Sequence, residues 1–111
     1  MKPALKLAFQ AEMAAANRHY QHAQYSGCFY HLERAHILGQ SFVIAHTQSH
    51  WWMLKLGYKT KNKKEILGQI ARIIAAMLFS KIWIPKGNTG GTNVNPFKPM
   101  AIPDDLAQHL K

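Results

Sequence analysis

The chain has 111 residues, enough for one hydrophobic core and too few for two. Apolar residues make up 48% of it, which excludes wholesale disorder, and 14 Lys and Arg against 5 Asp and Glu leave a net charge of +9. That surplus favours an anionic contact such as nucleic acid, anionic lipid or an acidic protein, and is silent about fold.

Helical periodicity dominates the first eighty residues. From Ala4 to Gln21, Leu5, Ala8, Phe9, Glu12, Met13 and Ala16 recur at three- and four-residue steps behind Pro3, a good helix starter. A second helix is expected over 25–38, with Cys28, Phe29, Leu32, Ala35 and His36 inward and Gly39 as its breaker. A third is expected over 41–56, stopped by Gly57. A fourth over 63–81 carries Ile66, Leu67, Ile70, Ile73, Ile74, Met77 and Leu78 as its core face. Residues 85–103, rich in Pro, Gly and Asn, sustain neither helix nor strand, and a short helix is expected over 103–110. Short connections between helices of this length predict an all-α, antiparallel four-helix bundle in one domain spanning 1–111, with the irregular tail packed back on it.

The most apolar run, 66–84, is interrupted by Gln69, Arg72 and Lys81, which argues against a membrane span. The single cysteine, Cys28, allows no internal disulfide, and Met1-Lys2-Pro3 leads into an amphipathic segment without a signal-peptide core. A cytoplasmic protein is expected. One short echo stands out: Ile37-Leu38-Gly39-Gln40 recurs as Ile66-Leu67-Gly68-Gln69. A glycine for close approach followed by an amide that can hydrogen-bond accounts for both copies.

Three histidines carry the chemistry. His46 and His50 lie four apart, so on a helix their imidazoles project one turn apart from one face. Glu33 and His36 form a Glu-x-x-His step on the preceding helix, and a hairpin turning at Gly39 and Gln40 brings the two steps together. Imidazole nitrogens suit zinc, copper, iron and nickel. Glu12, on the apolar face of the first helix, is a further oxygen ligand, an acceptor fixing a histidine tautomer, a salt-bridge partner or simply exposed at an edge, and Glu33, beside Arg34, sits at a position that commonly faces solvent. The candidate metal site is therefore His36, His46, His50, Glu33 and Glu12, holding one transition metal ion: zinc, iron or copper. Five acids are too few for a di-iron bundle, which needs two Glu-x-x-His steps and two further carboxylates. The alternative is that the three imidazoles are buried neutral residues, each needing its own hydrogen-bond partner. His19, His22, His31 and His109 fall on polar stretches and are expected at the surface.

Two resemblances add to this. Tyr20 to Leu38, with Ala23-Gln24-Tyr25 at a turn, resembles one helical hairpin of the tetratricopeptide kind, without the further copies an array needs. His31-Leu32-Glu33-Arg34-Ala35-His36-Ile37-Leu38-Gly39-Gln40, His46, His50-Trp51, Gly68-Gln69, Pro85-Lys86-Gly87-Asn88-Thr89-Gly90-Gly91 and Pro99-Met100-Ala101-Ile102-Pro103 occur in that order. In this the chain resembles the small bacterial family catalogued as domain of unknown function 3703. That resemblance implies a heavy-metal resistance setting and no particular reaction.

Other chemistries find less support. Lys55, Lys59, Lys61, Lys63 and Lys64 surround Tyr58 and form either a solvated turn or a weak, sequence-blind nucleic-acid patch, since arginine is scarce. Gly87-Asn88-Thr89-Gly90-Gly91 lacks the flanking strand and helix of a phosphate loop, and suits a tight turn closing over the bundle. No serine or cysteine stands in a nucleophile context. The reading is a small metal-binding accessory protein. Its rivals are a helical interaction module for an acidic protein and a weak nucleic-acid binder.

Overall fold

A computed structural model describes residues 1–79 and 85–111. It is all-α, with no strand among the described residues: α1 Pro3–Gln21, α2 Tyr25–Gly39, α3 Val43–Lys59, α4 Lys63–Phe79 and the single turn α5 Asp104–Ala107. The expected end of the fourth helix at 80–81 lies outside the described residues.

The chain's own chemistry sets the helix ends. Pro3 sits in the first turn of α1. The α1–α2 turn passes through Ala23 with φ at 56°, and the α3–α4 turn through Lys61 with φ at 58°. Asn62 caps α4 by accepting from the Glu65 amide at 3.1 Å. Two expected boundaries move. α3 starts at Val43, after extended Phe42, and runs through Gly57 to Lys59. Gly57 does not end the helix, because its value is proximity: a Cβ there would lie 3.1 Å from that of Glu65 on α4. The expected C-terminal helix shrinks to Asp104–Ala107.

Helix α1 packs on α2, α2 on α3, and α3 on α4. The core is built mainly by the first three, with Leu106 of α5 joining it. Leu5 and Phe9 meet Ala35, Leu38 and Ala45 at one end, and Ala16 meets Cys28, Leu32, Met53 and Leu56 at the other. The α4 expectation fails on burial: Leu67, Ile70, Ile74, Met77 and Leu78 are exposed, while Gln69 and Ala76 are buried. This helix turns its amide inward, for reasons that lie in the site.

The segment after residue 85 is tied to the helices through side-chain amides. Gln40, 3% exposed, donates to the Pro85 carbonyl at 3.1 Å and accepts from the Gly87 amide at 2.8 Å. Asn88, 1% exposed, donates to the carbonyls of Asn95 and Lys98 at 2.8 and 2.7 Å. A buried amide lost from such a pair strands its partners without water. Gln40→Met keeps the volume and removes both bonds. It is expected to lower unfolding stability by about 2 kcal/mol, read as a lower urea midpoint at unchanged slope.

Candidate metal centre

Helix register delivers three imidazoles to one point. His36 comes from the last turn of α2, and His46 and His50 from successive turns of α3; all are buried, at 3%, 7% and 3% exposure. Their Nε2 atoms form a triangle: His36 to His46 2.9 Å, His36 to His50 3.0 Å, and His46 to His50 3.1 Å. Among the described residues these three form the group of His, Cys, Asp and Glu side chains able to share one ion.

The outer nitrogens decide what the inner ones can do. His36 Nδ1 donates to the Asn88 carbonyl at 2.7 Å. His50 Nδ1 donates to Gln69 Oε1 at 2.6 Å. The Gln69 amide cannot be turned round, because its Nε2 donates to the Gly90 carbonyl at 2.8 Å and to Glu65 Oε1 at 2.7 Å. With protons fixed on the two outer nitrogens, neutral His36 and His50 present bare Nε2 lone pairs to each other. His46 Nδ1 is buried without a hydrogen-bond partner among the described residues, so none of them holds the His46 tautomer. Three neutral rings therefore share at most one proton at their meeting point, too few for the three close nitrogen contacts.

Further protonation is opposed. Burial, then the His50 and His46 rings, holds His36 well below the ordinary imidazole value. Burial pushes His46 down to about 4 and, with the neighbouring His46, pushes His50 to about 3. Arg72 adds a positive charge near His36 and His50. The triangle's dimensions are ones that a single metal ion could span. Metal–nitrogen bonds of about 2.05 Å separate ligand nitrogens by about 2.9 Å on an octahedral face and about 3.3 Å in a tetrahedron.

The two acids fall elsewhere. Glu12 is fully engaged: Oε1 accepts from Arg34 Nε at 2.8 Å and Oε2 from His31 Nδ1 at 2.7 Å. It fixes a histidine, but His31, which is half-buried and hydrogen-bonded where a surface residue was expected. Arg34 also pairs with Asp105, joining α1, α2 and α5. Glu33 does not join the triangle. Burial raises its carboxyl, the Thr89 hydroxyl partly offsets this, and Glu65 raises it further. His19 is half-buried too, with Nδ1 donating to the Ala15 carbonyl at 2.8 Å. Of the five lysines, Lys55 lies with its ammonium 4.0 Å from the Trp52 ring centroid, leaving Lys59, Lys61, Lys63 and Lys64 exposed.

Sequence reasoning missed the supporting shell: Gln69, Glu65, the Asn88 carbonyl and Gly90. The repeated Gly-Gln dipeptide was the available signal, since both amides are buried and both hold the segment after 85. Gly90 has φ at 84°, and a Cβ there would sit 2.6 Å from the His36 ring, so the loop lies directly on that imidazole.

Comparison with known families matches residues 3–110 to a protein family of unknown function, DUF3703. The chain belongs to the DUF3703 family. No curated protein and no solved structure matches it. The family match therefore covers the helices, the three histidines and the loop over them, and names no activity. No helix among the described residues is long and apolar enough to cross a membrane.

The depressed imidazoles predict an acid-sensitive apo fold. Unfolded histidines take up protons below about 6.5, whereas the buried ones resist down to about 4. Stability is thus full above that upper value and falls with pH through the window between the two, by up to about 1.4 kcal/mol per pH unit for each histidine. Urea midpoints of metal-free protein at pH 7.5 and 5 are expected to show this drop, flattened in His46→Gln/His50→Gln.

Proposed function

We propose that this DUF3703 protein binds one transition metal ion through Nε2 of His36, His46 and His50, as an accessory protein of heavy-metal resistance or homeostasis. The observation that carries the reading is the pairing of His36 and His50: both outer nitrogens are held as donors by carbonyl oxygens, so both lone pairs face the same point 3.0 Å apart. Metal-ligating histidines have this pattern, with the second ring nitrogen donating to an oxygen that sets tautomer and ring angle.

Three neutral imidazoles suit zinc or copper, and suit iron when an oxygen ligand joins them. Glu33 stands outside the triangle in this structure, and we assign it only as the carboxylate an iron ion would have to recruit; Glu12 is set aside because Arg34 and His31 occupy both its oxygens. Burial of all three rings favours holding or handing on an ion over turning over a bulky substrate. The resistance setting comes from the family resemblance seen in the sequence motifs.

Elemental analysis of protein purified without chelator or affinity tag tests the reading, wild type beside His46→Ala/His50→Ala. Near-stoichiometric metal in the wild type and its loss from a still-helical double variant is the expected outcome. Equal metal in both proteins rejects the site. Gln69→Leu, which frees the His50 tautomer, is expected to weaken metal affinity about 10- to 100-fold in a chelator competition.

A further inference from the structure

Helix α4 wears its pattern inside out. Glu65, Gln69 and Arg72 share the face turned toward α3 and the loop, where Arg72 donates to the Gly68 and Val94 carbonyls, both at 3.3 Å. On the opposite side, Leu67, Ile70, Ile74, Met77 and Leu78 are 70%, 44%, 54%, 63% and 63% exposed. Their three- and four-residue spacing runs a straight apolar seam along three turns, with exposed Ala71 lying within it. A soluble chain rarely leaves so continuous a seam against water.

We infer that this seam is a twofold dimer interface, in which α4 packs antiparallel against α4 of a second copy. Composition selects that partner. A helix lying on an anionic bilayer flanks its apolar face with Lys and Arg, and a surface read by an acidic protein carries its bases beside the contact. Here the positions flanking the seam are Ile66, Gly68, Ile73 and Ala75, and the exposed lysines of α4 among the described residues, Lys63 and Lys64, stand in its first turn, ahead of Leu67. Two chains of +9 thus meet along a stretch of α4 that carries no charge from Leu67 to Leu78 on its exposed side. Ala71 lets the backbones approach, and a repeated 3–4 seam meets its own copy about a twofold axis, which closes the assembly at two. Each exposed side chain offers on the order of 100 Å² of apolar area, so five from each copy cover on the order of 1,000 Å², the size a specific interface needs.

Sedimentation equilibrium of the full chain from micromolar to sub-millimolar concentration reads the mass. A wild-type dimer that becomes a monomer in Ile74→Glu, with unchanged helical circular dichroism, is expected. Ala71→Cys provides a second reading independent of that variant's folding. Mild oxidation is expected to give a disulfide-linked dimer, whereas Leu7→Cys, exposed on α1, gives none; native Cys28 is buried and does not compete. A wild type that stays monomeric overturns the inference, and so does a monomer that co-sediments with phosphatidylglycerol vesicles. A dimer that keeps its mass in folded Ile74→Glu while Ala71→Cys stays uncross-linked places the contact elsewhere, and also overturns it.

Discussion

Three imidazole nitrogens held about 3 Å apart are the constraint around which this molecule is arranged. Lone pairs do not converge in a dry interior unless something holds the rings there. Here the holding is done from outside the triangle. A backbone carbonyl behind His36 and an amide oxygen behind His50 each bind the far nitrogen and leave the near one bare. His46, whose far nitrogen has no hydrogen-bond partner among the described residues, is positioned by its place on α3 and its packing against the other two rings.

That shell explains the odd orientation of α4. Gln69 must enter the interior to reach His50, and Glu65, one turn earlier on the same face, supports it by accepting from its amide. The rotation that brings both inward carries the leucines and isoleucines outward. Hydrophobic burial, which orients most surface helices, is overruled here by one buried amide with both ends engaged: its NH2 group donates to two oxygens and its oxygen accepts from His50. The conflict between local pattern and actual orientation marks a place where the fold serves its site or a partner.

Much of the architecture was legible because apolar spacing and helix-ending residues agreed over α1 and α2. The histidine convergence was legible too, since a four-residue step on one helix and a short hairpin fix relative position with little freedom. What periodicity could not show was α4, where the inward residues are the polar ones and the apolar seam points away. Nor could it assign Glu12, whose place on an apolar face says it is partly buried but not that Arg34 and His31 are its partners. Gly57 misled for a related reason: a glycine that ends a helix and a glycine that lets a neighbour approach look identical in a sequence. The loop's backbone carbonyl behind His36 leaves no trace at all, because any residue at 88 carries one.

The three rings also differ from their supports in distance along the chain. His36 and His46 are ten residues apart and His46 and His50 four, so one short hairpin contains the whole triangle. Gln69 lies 19 residues beyond His50, and Asn88 lies 52 beyond His36. Closing a ten-residue loop is fast and entropically cheap, whereas the long closures are neither. The three imidazoles can therefore come together before α4 and the loop have packed, and the oxygens of Gln69 and Asn88 fix the ring orientations only once those later segments arrive.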